Sequence, residues 1–271
     1  MGHLGKPFEK LAILADLSAA YNTPATVDEL LYTDLPGAVC VRVRPLLCSA
    51  GVGERSEMSD AVKVLNQSKW GVCGFVSILN AMAHNKKLAA FYGVTIDGMQ
   101  DQLAPELITW LKITNVEKPE MVRDILVFCK EFGRNYNTVD DLVRVIKQEF
   151  LAGAARDPQR MTAALDIAMP PHCLVQYLRD VYRVMNVSIT HFYHKALSRS
   201  ELTALKDSIV GVGGSIATKP YDHLLHWVYV DEKGGLWNWG NYDNLASSAS
   251  DNNALLRHPS LTSITCRIKV P

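Results

Sequence analysis

The sequence predicts an α+β fold, and three observations carry that expectation. Apolar residues recur at helical spacing through much of the chain up to about residue 184. After about residue 186 the pattern changes to short alternating apolar runs separated by turn residues. The chain has 271 residues, of which 48% are hydrophobic and 21% charged, enough to bury a sizeable core and too apolar for disorder. Helices followed by an antiparallel sheet make an α+β arrangement. The length suits one enlarged domain with additions: an N-terminal helical and strand extension over 1–60, then a main domain over 61–271 with a helical insertion at about 101–184.

In order, residues 6–20 and 26–32 read as helices, and Val39, Val41 and Val43 alternate as a short strand ending at Pro45. Ser49 to Ser59 is rich in glycine and serine and reads as a loop. Phe75, Ile78, Leu79 and Met82 place a helix from Cys73 to about Ala83. Further helices are expected at roughly 101–112, 118–133, 138–152, 160–168 and 172–184. Strands are expected at Val187–Tyr193, Ser208–Thr218, Leu225–Val230, Leu236–Asn241 and Ser263–Val270, with a helix at 199–206 and a hairpin turn at Asp231–Gly235.

Charge and composition narrow the function. Lysine plus arginine equals aspartate plus glutamate, 28 against 28, which argues against a broad nucleic-acid-binding surface. No apolar run approaches the ~20 residues of a membrane helix, and the charged N-terminal segment lacks the h-region of a secretory signal. Six cysteines scattered through a long chain (40, 48, 73, 129, 173, 266) do not resemble a small secreted disulfide framework, so reduced thiols are expected.

The strongest signal is the segment Asn66-Gln67-Ser68-Lys69-Trp70-Gly71-Val72-Cys73-Gly74. Cys73 stands where a loop becomes a helix, and the unpaired N–H groups there favour a thiolate. Gly71 and Gly74 leave the sulfur approachable. Gln67 could set its amide N–H beside the Cys73 backbone N–H, a pair of donors for an oxyanion. Such a thiol needs a base, and His226 opens an apolar strand followed by a hairpin. The base needs an orienting acceptor on the facing strand. A loop at Glu232–Gly235 sets Asn241 opposite His226; a tighter Gly234-Gly235 turn sets Asp243 there instead. Asn238 ranks third, and His223, which precedes the strand, is the rival base.

The spacing of Gln67, Gly71 and Cys73, with histidine and Asn/Asp on later strands, resembles the papain-like cysteine peptidase superfamily. The Cys73-Gly74 pair is more similar to its bacterial branches, such as YopT-type effector proteases, than to papain itself. The resemblance implies a papain-like α+β fold and a Cys73–His226–Asn241 site with Gln67 in the oxyanion hole. It implies no metal or other cofactor. The expected activity is amide hydrolysis or acyl transfer, first as a protease acting as an effector or toxin on a protein or peptide substrate. Glutamine deamidation, cell-wall amide hydrolysis and a non-catalytic binding protein with the same shell are the alternatives. An inhibitor or immunity protein is a possible partner. The expected location is the cytoplasm, or outside the cell as an effector exported without a classical signal.

Other patterns carry less. His191/His194 and His223/His226 are spaced i, i+3, which on a strand points them to opposite faces, so metal binding is not expected. Gly211–Ser215 lacks the Lys-Ser/Thr of a phosphate loop and reads as a place where a substrate backbone lies close to the sheet, or as a bulge. No G-x-S-x-G elbow is present. Trp227, Trp237, Trp239 and Tyr242 read as core and cleft wall.

Overall fold

The computed structural model describes residues 71–88, 96–148, 166–214, 220–238, 241–245 and 260–271. The expected extension over 1–60, the loop at Ser49–Ser59 and Gln67 lie outside the described residues.

The helices are α1 (Cys73–His84), α2 (Ile96–Glu117), α3 (Pro119–Glu131), α4 (Val139–Ile146), α5 (Pro171–Asp180) and the short α6 (Arg199–Thr203). The strands are β1 (Ser188–Ala196), β2 (Ser208–Gly213), β3 (Leu224–Val230), β4 (Gly235–Asn238), β5 (Asn241–Asn244) and β6 (Ser263–Lys269). The α+β architecture is as the sequence predicts. The strands join in one antiparallel sheet in the order β1-β6-β2-β3-β4-β5.

Local chemistry sets several boundaries. Pro119 and Pro171 open α3 and α5, where a missing N–H costs nothing. Thr138 and Asp141 form a capping box that starts α4. The helix expected at 160–168 does not reach its C-terminal end: Asp166 has φ +42°, and 167–170 run without helix into α5. Pro170 and Pro171 keep Met169 and Pro170 out of the helical region, because a residue before proline is pushed toward extended backbone. Residues 149–165 lie outside the described residues.

Strand alternation divides the sheet between two cores. Trp227, Tyr229 and Trp237 lie in the core formed with α1 to α5, together with Phe75, Ile78 and Leu79 of α1. Val228, Val230 and Leu236 face a second core with Leu202 and Leu205. Residues Gly74 to Met82 of α1 are all buried. Burial of each large apolar side chain there contributes about 1.5–3 kcal/mol. The helix that begins at Cys73 is therefore held along nearly its whole length.

The Asp231–Gly235 turn forms as expected. Asp231 N–H donates to Gly235 O at 2.9 Å, Gly234 takes φ +82°, and Asp231 Oδ1 accepts from the Lys233 and Gly235 amides. This is a three-residue hairpin loop, which sets Val230 against Leu236 and Tyr229 against Trp237. The expected strand Leu236–Asn241 divides into β4 and β5, with Asn238 pairing Asn241 across the intervening turn.

Candidate functional site

Cys73 is the first residue of α1, after Val72, whose carbonyl accepts the first helical bond from Val76 N–H at 3.1 Å. The residue is half-buried. Burial pushes its thiol up to about 11, against the pull of the Trp227, Gly74 and Cys73 backbone N–H groups, and the Asp166 carboxylate adds to the rise. The expected thiolate is thus reversed in the resting protein. Helix-start donors do converge on the sulfur, but loss of water outweighs them. Among the described residues Cys129, Cys173 and Cys266 are free thiols buried in the core.

His226 lies on β3, buried, with Val212 of β2 opposite. Its Nε2 stands 2.6 Å from Asn238 Oδ1. An amide oxygen only accepts, so in this bond Nε2 carries a proton and donates. The hairpin therefore brings Asn238 to the imidazole where Asn241 was expected. Asn241 sits on the exposed β5, and Asp243 pairs with Leu236. The three-residue loop shifts the pairing by one position, which takes Asn241 out of register with His226, and Asn238, the last residue of β4, reaches the ring diagonally.

The thiol and imidazole meet the same stretch of β3. Gly74 lies against the Trp227 ring, where a Cβ would fall 3.3 Å from Trp227 Cδ1. The Trp227 N–H, one peptide from His226, favours the Cys73 thiolate. Alternation puts Trp227 on the face toward α1 and His226 on the face of Val228 and Val230. Cys73 and His226 thus approach one peptide of β3 from its two sides.

The glycine run acquires a local explanation. Tyr221, Asp222 and His223 all have φ between +54° and +60°, one turn of left-handed backbone just before β3. Three such residues are costly, at about 1–2 kcal/mol each. The turn packs on Gly213 and Gly214: a Cβ at Gly213 would fall 2.1 Å from His223 O, and one at Gly214 2.4 Å from His223 Cδ2. The close approach is by the chain's own His223. Gly214 N–H also donates to His223 O at 3.3 Å.

A second cysteine–histidine group occurs at α5. His172 Nε2 lies 3.1 Å from Asp124 Oδ2 and 3.3 Å from Cys173 Sγ. The Cys173 sulfur is fully buried and points toward Met121 O at 3.8 Å, so the group fastens α5 to α3. Among the described residues, no three His, Cys, Asp or Glu side chains are arranged to hold a metal ion, and no helix is long and apolar enough to cross a membrane.

Two features escape sequence reading. His84, the last residue of α1, stacks on Trp237 with ring centroids 3.6 Å apart, and burial lowers its pKa to about 4. Asp166 presses on Gly71, where a Cβ would fall 2.0 Å from Asp166 Oδ1. Only the Pro170-Pro171 pair hints that the chain near 166 is extended and available for such a contact. Trp227 and Trp237 are buried core residues, Tyr242 is 36% exposed, and Trp239 lies outside the described residues. Set against known proteins, the chain matches no family model, no curated protein and no solved structure.

Proposed function

We propose that the protein is a cysteine-dependent amide hydrolase or acyltransferase of papain-like design, with Cys73 as nucleophile, His226 as base and Asn238 as the residue that orients the base. The observation that carries the reading is the 2.6 Å His226–Asn238 bond on the strand whose next amide favours the Cys73 thiolate. Cys73 rests as a thiol, so His226 takes the role of general base in this reading. As Sγ attacks the carbonyl carbon, its proton passes to the His226 imidazole through water, because the two side chains stand on opposite faces of β3. The imidazolium then gives that proton to the departing amine, leaving a thioester on Cys73 that water or a second amine resolves. Gln67, with the Cys73 N–H, supplies the oxyanion donors in this reading, and Gln67→Ala lowers turnover roughly 10²–10³-fold.

A peptide bond is the first substrate class. A glutamine side chain and a cell-wall amide would use the same steps. The bacterial-effector setting follows from the resemblance alone. A non-catalytic binding protein is the second reading, favoured by the thiol being pushed up to about 11.

An activated acyl ester separates the two readings. A hydrolase leaves an acyl adduct on Cys73 after acid quench, located by peptide mapping, and the adduct is lost in His226→Ala. A protein that acylates no faster at Cys73 than at a free thiol in solution is a binding module. Ammonia release without chain cleavage marks a deamidase.

A further inference from the structure

The segment from Asp166 to Met169 touches a neighbour of each partner of the proposed site, Gly71 before Cys73 and Trp227 after His226. Asp166 packs side chain and backbone on Gly71, with a would-be Cβ 2.0 Å from Oδ1 and 2.6 Å from Cα, two residues before Cys73. Gly71 itself has φ +60°, so the approach needs a glycine twice over. Asp166 Oδ2 accepts from Arg134 Nε at 2.7 Å and Nη2 at 2.5 Å. Arg134 is fixed in turn by the end of α3, where its N–H donates to Cys129 O at 3.2 Å beside Gly133, φ +75°. At the other end of the segment, Met169 O accepts from the Trp227 indole N–H at 3.1 Å, which ties it to the histidine strand.

We propose that Asp166, clamped by Arg134, is a positioning residue for Cys73 that fixes the turn from which α1 starts and sets a negative charge beside it. The carboxylate is placed to oppose a thiolate, and the guanidinium limits how strongly it does so. Among the described residues, Cys129 and Tyr136 are the other ionisable groups beside Asp166, and His226 stands on β3 next to Trp227. Cys129 and Tyr136 are both pushed up to about 12 by burial, so neither changes charge at neutral pH. The pair therefore supplies the fixed charges next to the turn.

The inference rests on Cys73 being the reactive thiol, but its test needs no substrate. Iodoacetamide labelling of the full chain at pH 8, read at Cys73 by peptide mapping, compares Asp166→Asn, Arg134→Gln and Arg134→Lys. Asp166→Asn removes the opposing charge and speeds labelling about 3–10-fold; Arg134→Gln leaves that charge uncompensated and slows it by about the same factor. Arg134→Lys keeps the charge and stays within about twofold of the wild type. A pair that only braces the fold would shift both charge-removing variants in the same direction, and that result, or an unchanged Asp166→Asn, overturns the proposal. If Asp166→Asn unfolds, seen as labelling of Cys129 as well, the decision passes to Arg134. A slowed Gln variant beside an unchanged Lys variant supports the proposal, and equal rates overturn it. A protein that keeps this ordering yet forms no acyl adduct retains the inference and loses the proposed activity.

Discussion

Asn238 Oδ1 lies 2.6 Å from His226 Nε2, and that bond fixes which nitrogen of the imidazole is basic. Asn238→Ala frees the ring to take either tautomer, and the proposed activity falls at least 10-fold, a part of what general-base catalysis contributes. Asn241→Ala, on the exposed β5, stays within about twofold in activity and about 0.5 kcal/mol in stability. Hydrolysis rates and urea denaturation of the two variants check the assignment. Equal losses would return Asn241 to the site.

The thiol of Cys73 titrates high because burial defeats the helix start. With its value pushed up to about 11, the rate of alkylation at Cys73 rises about tenfold per pH unit from pH 7 to pH 10 without a plateau. A plateau below pH 8 would mean that the thiolate and a protonated imidazole already coexist at rest.

Gly213 and Gly133 separate contact from conformation. Gly213→Ala drives a methyl into His223 O, at a would-be 2.1 Å, and costs about 1–3 kcal/mol or more in urea unfolding. Gly133 has φ +75° with open space around it, so Gly133→Ala costs only the backbone term of about 1–2 kcal/mol. The larger loss belongs to Gly213, and it should come with displacement of the turn that leads into His226.

His84 supplies a pH dependence of stability. Burial lowers its pKa from 6.5 to about 4, so between those values the unfolded chain binds the proton and the folded one does not. The stabilisation of the neutral ring on Trp237 is present in full above about pH 6.5 and is lost as pH falls toward about 4. His84→Phe keeps a ring for stacking and removes the titration. Denaturation midpoints between pH 4 and pH 7 are therefore flatter in the variant than in the wild type.

Much of the architecture was legible because it depends on local period. The helix at Cys73 follows from Phe75, Ile78, Leu79 and Met82, and β3 from Leu224–Val230, since burial of one face leaves its mark on the sequence. What was not legible depends on register and on long-range contact. Setting Asn241 aside required the loop length at Asp231–Gly235, since one residue in a turn moves every pairing beyond it, and Asn238 reaches His226 only as a diagonal neighbour. The glycine run announced close approach but not by what; at Gly213 and Gly214 the answer, His223 in a left-handed turn, breaks the usual preference of non-glycine residues. The thiol was misjudged for a similar reason. A helix start can be read from the sequence, whereas the burial that overrides it, and the Asp166 charge that adds to it, depend on parts of the chain far from Cys73.

The central claim is that Cys73 and His226 together break an amide bond. The most direct measurement is digestion of a mixed peptide library by the wild-type chain, Cys73→Ala and His226→Ala, with new termini and released ammonia both read by mass spectrometry. The account predicts amide products from the wild type alone, with each variant reduced by a factor on the order of 10² or more. Products that persist undiminished in Cys73→Ala, or that ignore His226→Ala, would contradict it.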